Sequence, residues 1–247
     1  MNRMKPIETG GSAEKARHAR PAEGARHYGP HLGAVAIVFT ALFLVSLVIS
    51  GIMTQGATFP TPSWPDDLVR DYFIRFAFVV RITSFLQLGA AIPLGIFTAT
   101  LTSRLRFLGI TAAGVNISLF GGIASAVFLA LSGLTGWVIS QPALAAAGSP
   151  LPGFRLFAFA TGGVGHVAAL GMLLAGAAIP AGIAKLIPRW LMWLGLVTAL
   201  FAELSVWSLV FPGLYFLIPL GRFPAFVWMI CTGWSLSKVS FSRSTDK

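Results

Sequence analysis

The chain has 247 residues, of which 55% are hydrophobic and 11% charged, with a net charge of +10. Soluble domains average roughly a quarter charged residues, so this composition excludes an ordinary soluble domain. The basic excess does not indicate nucleic-acid binding, because Lys and Arg lie in the tails and between apolar runs rather than on one polar face. Cys231 is the single cysteine, which excludes an intrachain disulfide.

Residues 1–31 are polar, rich in Gly, Ala and Pro, and lack apolar periodicity; they are predicted to form a disordered cytoplasmic tail. His18, His27 and His31 fall here, without carboxylate or thiolate partners at metal-ligand spacing. The first apolar run, Leu32–Met53, carries no charge and is long enough to cross a hydrocarbon core of about 30 Å at about 1.5 Å per residue. It reads as an uncleaved signal anchor.

The next stretch contains Pro60, Pro62 and Pro65, which break helix. Ser63-Trp64-Pro65-Asp66 has the spacing of a capping box. From Trp64 to Arg81, Asp66, Asp67, Arg70, Asp71, Arg75 and Arg81 share one half of a helical circumference, with Leu68, Val69, Tyr72, Phe73, Phe76, Val79 and Val80 on the other. Two readings fit: an amphipathic helix on the membrane surface over 64–81, or the extramembrane start of a long second helix.

The second and third spans are placed at 82–102 and 107–131, with Asn116 and Gly121-Gly122 marking faces for hydrogen bonding and close helix approach. Residues 132–155 read as a connector rich in Gly, Ala, Pro and Ser. The fourth span, 156–184, carries small residues four apart, as in Thr161/Gly165/Ala169 and Gly171/Ala175. Gly163-Val164-Gly165-His166-Val167-Ala168 fits a loose dinucleotide pattern but follows no strand, so that reading is rejected. A fifth span is placed at 190–211. Pro212, Pro219 and Pro224 with Gly213 and Gly221 then suggest a short interfacial or re-entrant segment before a sixth span at 223–237. Residues 239–247 close the chain as a cytoplasmic tail.

The expected fold is therefore all-α: a six-span membrane domain over 32–238. With the N-terminus inside, 13 Lys and Arg fall on the inner side and 5 on the outer, so both termini are expected in the cytoplasm.

Glu203 and His166 are the ionisable residues placed well inside the expected spans. A charge at mid-bilayer costs about 2.5–3.5 kcal/mol on the insertion scale, which makes each a candidate site by default. They sit at similar depths on consecutive spans and can meet if the two helices pack face to face, either as a structural pair or as a proton or cation site. Gln87, Arg81, Trp207 and Arg222 are the possible neighbours. No zinc motif, nucleophile elbow or phosphate loop is present, so the chain is not read as an enzyme and no cofactor or metal is implied. Two functions remain: a small-solute or proton/ion-coupled transporter, or a non-transporting accessory, sensor or packing partner of another membrane protein. The expected partners are the lipid bilayer and another membrane protein or a second copy, not nucleic acid.

Two stretches resemble a known family. Ile187-Pro188-Arg189-Trp190-Leu191 with Gly195-Leu196, and Ile218-Pro219 followed by Val227-Trp228-Met229-Ile230 and Gly233, look like the turn into the fifth span and the last span of an uncharacterised bacterial family of small polytopic membrane proteins. In words it is domain-of-unknown-function family four-three-eight-six. The likeness in span layout runs over residues 32–238. The family pattern favours an acidic residue six before the last-span tryptophan; this chain has Arg222 there. The resemblance implies a multi-pass protein of the bacterial plasma membrane and supplies no reaction.

Overall fold

The computed structural model describes residues 27–57, 59–145 and 150–238. Every regular element among them is helical, and six helices are long and apolar enough to cross a membrane. In chain order these elements are α1 (Leu32–Met53), the short α2 (Asp66–Arg75), α3 (Ala77–Phe107), α4 (Ala113–Ile139), α5 (Leu151–Ile183), α6 (Arg189–Leu204) and α7 (Leu217–Lys238). A 3-10 turn, Ser205–Leu209, prolongs α6, and another, Pro212–Leu214, precedes α7.

Each spanning helix packs against the next, and α7 closes on α1, so the six form a ring of neighbours. Within that ring α5 is the most enclosed. Of its most apolar 18 residues 67% are buried, against 33–39% in the other five spans. Its glycines permit this. A Cβ on Gly171 would lie 3.2 Å from the Ala199 carbonyl of α6, and one on Gly176 would lie 2.6 Å from the Gly114 carbonyl of α4. On α4, Gly121 faces the Ala169 carbonyl and Leu173 nitrogen of α5, and Gly122 faces Thr98 of α3. The expected close-approach faces are thus used on both sides of α4. Asn116, expected to accept a hydrogen bond, takes one from Arg106 at 2.6 Å.

The packing differs between the two halves of the bundle. Towards the end that holds the start of α1 and the end of α7, Phe39, Phe97, Leu101, Leu173, Leu191 and Trp228 form a packed apolar core. Trp228 is fully buried and donates from Nε1 to the Leu191 carbonyl at 3.0 Å, so its one polar atom is satisfied. The opposite half is looser and carries the 54–76 connection.

That connection differs from a helix lying on lipid. Val69, Tyr72 and Phe73 of α2 are buried against Val80, Ile139, Leu151 and Ala158 of the bundle, so the apolar face of α2 covers protein. The helix begins at Asp66, later than the expected Trp64, and stops at Phe76, where the backbone breaks before α3. Ser63 does not cap it; its hydroxyl instead lies 2.9 Å from that of Thr61. Arg155, 4% exposed at the start of α5, fastens the connection: Nη1 donates to the carbonyls of Thr61 at 3.0 Å and Trp64 at 3.3 Å, and Nη2 lies 3.6 Å from Asp66. Asp66 is 70% exposed, so the ion pair itself contributes little. Arg155→Ala should therefore cost about 1–3 kcal/mol through its orphaned carbonyl partners, and Asp66→Asn under about 1 kcal/mol. Hydrogen exchange should quicken in the 61–66 backbone for Arg155→Ala; unchanged exchange there would contradict the clamp.

Four sequence expectations need correction. The span expected at 82–102 begins at Ala77, and the 132–155 connector is shorter than expected, because α4 runs to Ile139 and α5 starts at Leu151. The last span starts earlier than 223: α7 runs unbroken from Leu217, with Pro219 in its first turn, where no N–H is needed, and Pro224 costing one backbone bond, while Pro212–Leu214 form a short 3-10 turn ahead of it. Finally, His27 and His31 of the expected disordered tail are placed against the bundle. His27 Nε2 lies 3.0 Å from the Ser103 hydroxyl, and burial there, with Arg104, lowers its pKa from the ordinary 6.5. His31 caps α1 through Nδ1 and packs against Trp234. His18 lies outside the described residues.

Candidate functional site

The structure does not bring Glu203 and His166 together. Both are in the middle of the bundle's height, but they face opposite ways. His166 is fully buried and points inward to α4. The Ser125 hydroxyl donates to the His166 carbonyl at 2.9 Å, and His166 Nδ1 lies 3.1 Å from the Ser125 carbonyl and 2.8 Å from the hydroxyl oxygen. A carbonyl only accepts, so hydrogen-bond accounting assigns the proton to Nδ1. Nε2 is then a bare acceptor, buried without a partner among the described residues. The imidazole stacks on Phe43 of α1, with ring centroids 6.3 Å apart and planes 15° apart.

Glu203 faces outward. It lines a shallow groove of about 340 Å³ on the lipid-facing side, with Phe120 and Phe128 of α4 and Val164 and Met172 of α5. Its Oε1 rests over Gly171, 3.0 Å from where a Cβ there would be. No hydrogen bond or ion pair among the described residues involves it. Ser205 and Ser208, the hydroxyls beside it, are turned back onto the carbonyls of Ala202 and Ser205, each at 2.6 Å.

The other named candidates divide. Arg81 does not approach Glu203; it donates to the Ser140 carbonyl at 3.2 Å and ties α3 to the end of α4. Trp207 is exposed and stacks on Phe211, as an interface anchor would. Gln87 and Arg222, in contrast, line one cavity of about 230 Å³ inside the looser half of the bundle. Its other polar lining comes from Ser46, Ser50, Thr83, Ser84 and Ser132, contributed by α1, α3 and α4. Phe59 of the 54–76 connection and Phe159 of α5 border it, and Phe43 separates it from His166.

Arg222 is the charge at this cavity. It sits five residues into α7, about 8 Å along the helix, and therefore within the span rather than in a loop, as the expected boundary at 223 had it. Its guanidinium carbon lies 5.2 Å from the centre of the Phe43 ring, a cation–π contact worth about 0.5–2 kcal/mol. Nη2 donates to the Gly162 carbonyl, while Nε is buried with no partner among the described residues. Among the described residues no carboxylate pairs with it, and the one ion pair there is Arg155–Asp66. One hydrogen bond and one ring do not replace a counter-ion, given the cost of an arginine in the membrane interior.

The Gly162 carbonyl is available because α5 is not a regular α-helix at this level. Ala160–Gly165 is a π-turn, which widens the backbone and shifts its hydrogen bonds by one residue. The Ala160-Thr161-Gly162-Gly163-Val164-Gly165 sequence suits it, and a Cβ at Gly162 would overlap the Ser132 hydroxyl. The glycine-rich stretch that mimicked a dinucleotide motif is thus a wall of the cavity. The sequence reading missed this π-turn and did not single out Ser46, Thr83, Ser84 or Ser132. A run of three glycines in four residues inside a span was the available signal.

No group of three or more His, Cys, Asp or Glu among the described residues is placed to hold a metal ion. Fold and site together define a multi-pass helical membrane protein with a polar, arginine-bearing cavity between its helices. No family model matches the chain, and neither does any curated protein or solved structure.

Proposed function

We propose that the protein is a small-solute carrier of the bacterial plasma membrane, with both termini in the cytoplasm and the cavity facing outward. The observation that carries this reading is the placement of the Arg222 cavity: it lies inside one half of the bundle, and a packed apolar core that includes Phe39, Phe97, Leu101 and Trp228 separates it from a smaller polar pocket at the opposite end, lined by His31, Thr100 and Arg104. A carrier resting with one side open has this form, because access from one face requires closure at the other. The orientation is supported by the 13 Lys and Arg on the side of the termini against 5 on the other. The resemblance of the 187–196 and 218–233 stretches to the uncharacterised bacterial family supports the membrane assignment and adds no substrate.

The proton-coupled form of this reading, centred on a Glu203–His166 pair, loses its basis because the two do not meet. Gln87 and Arg222 take their place. Proteoliposomes offered labelled anionic, zwitterionic and cationic small solutes should show saturable uptake of at least one class, accelerated when the same solute is loaded inside. Absence of such uptake across the panel would contradict a carrier.

A second reading, a non-transporting accessory or packing partner of another membrane protein, is favoured by Glu203 alone. An unpaired carboxyl on the lipid-facing side suits contact with a donor on a neighbouring helix. Crosslinking from a cysteine placed at Val206, beside that groove, would capture such a neighbour in native membranes.

A further inference from the structure

We infer that the cavity is an anion site, and that Arg222 makes the carrier selective for small organic anions with an apolar body. This rests on the carrier reading only for the word carrier; the binding site stands on its own geometry.

Three observations lead to it. First, Arg222 carries a fixed positive charge at a cavity whose remaining polar lining is neutral: serine and threonine hydroxyls and the Gln87 amide. A carboxylate near Arg222 would have made a structural ion pair, and among the described residues there is none. Second, its guanidinium is only partly used. Nη2 is held by the Gly162 carbonyl, which is the one hydrogen bond of the side chain among the described residues, so Nη1 remains for an incoming oxyanion while Nε is buried. Guanidinium presents its donors as a planar fork that matches carboxylate, sulfonate and phosphate oxygens. Third, the guanidinium is held in place before any ligand arrives. Phe43 lies beneath it, and the π-turn of α5 fixes its other edge. Phe59 and Phe159, with Leu129 and Ile218, then offer apolar walls to the rest of the ligand. A few placed polar groups against apolar walls are the usual composition of a small-molecule site.

A free organic anion and the phosphate of an anionic lipid share this chemistry. Benzenesulfonate, which stays charged at all relevant pH, and its neutral analogue benzenesulfonamide are suitable probes of it. With the full chain in phosphatidylcholine nanodiscs, benzenesulfonate should bind at least tenfold more tightly than benzenesulfonamide. Arg222→Gln should abolish that preference, and Arg222→Lys should keep it at lower affinity. Gln87→Trp, which fills the cavity and leaves Arg222 in place, should remove binding of both probes. Adding phosphatidylglycerol assigns the source: unchanged affinity identifies a soluble anion, and tenfold weaker binding identifies a lipid phosphate as the natural occupant. Either result upholds an anion site. Equal binding of the two probes to the wild type would overturn it, as would a preference that survives Arg222→Gln. The wild-type comparison remains decisive even where a variant does not fold. Benzenesulfonate counterflow in proteoliposomes reports separately on the carrier: binding without flux keeps the anion site and removes transport, whereas flux of cations with no anion binding does the reverse.

Discussion

Trp228→Ala should lower the stability of the protein in detergent by about 3–5 kcal/mol, the range for emptying a buried aromatic site. Trp228 is the largest fully buried side chain and joins α7 to α6 through the Leu191 carbonyl. Its indole also lies against Gly195, where a Cβ would meet it directly, so no neighbouring side chain is placed to fill the space. Trp228→Phe keeps most of the volume and loses the N–H, and should cost about 1–2 kcal/mol. The position has functional weight as well, because Trp228 belongs to the half of the bundle that closes the cavity off from the opposite face. An alanine variant within 1 kcal/mol of wild type would mean that this core is looser than its packing implies.

The second large effect is expected at Gly176. Any side chain there places a Cβ 2.6 Å from the Gly114 carbonyl and 2.6 Å from the Ser118 nitrogen, both backbone atoms that no rotamer change can move. Gly176→Ala should cost about 1–3 kcal/mol through displacement of α5 from α4, and Gly176→Leu should prevent accumulation of folded protein. Gly95 of α3 provides the contrast. Nothing lies within 4 Å of a Cβ built there, so Gly95→Ala should be neutral or stabilising by up to about 1 kcal/mol through helix propensity. Similar losses at both positions, measured by thermal unfolding in detergent, would show that glycine is needed for a reason other than helix approach.

Most of the architecture was legible in the sequence because lipid solvation imposes a simple length rule on apolar runs. All six spans fall where the runs are, and the amphipathic pattern over 64–81 divides between its two readings: Asp66–Arg75 is a separate helix, while 77–81 belong to the start of α3. What periodicity did not convey was the surface that this helix covers, since an apolar face suits lipid and protein equally. The proline-rich 212–224 stretch misled for a different reason. Proline breaks a helix according to its position in it, and Pro219 falls within the first turn. Starting the last span at 223 left Arg222 in a loop, and so reduced to a possible neighbour of Glu203 the charge that now centres the site.

The Glu203–His166 pairing failed on angular phase. Depth along two helices was estimated from residue counts, but a contact also needs both side chains to face the shared interface. Gly195, Ala199 and Ala202 form the small-residue stripe by which α6 meets its neighbours, and Glu203 lies about 100° further round. That stripe was readable beforehand. The π-turn was not, because a single widened turn leaves no periodicity in a sequence, and it is this turn that supplies the Gly162 carbonyl to Arg222.

The central claim is that the cavity beside Arg222 is filled with water and reached from the side of the 54–76 connection. Gln87 lines that cavity, whereas Phe85, two residues away on the same helix, is 72% exposed toward the lipid-facing side. In a Cys231→Ser background, Gln87→Cys and Phe85→Cys can each be treated in intact cells with a membrane-impermeant, negatively charged thiol reagent, since only a water-exposed thiolate reacts. The account predicts modification at position 87 and protection at position 85. Protection at 87 together with reaction at 85, or reaction at 87 only when the reagent is admitted to the cytoplasm, would contradict it.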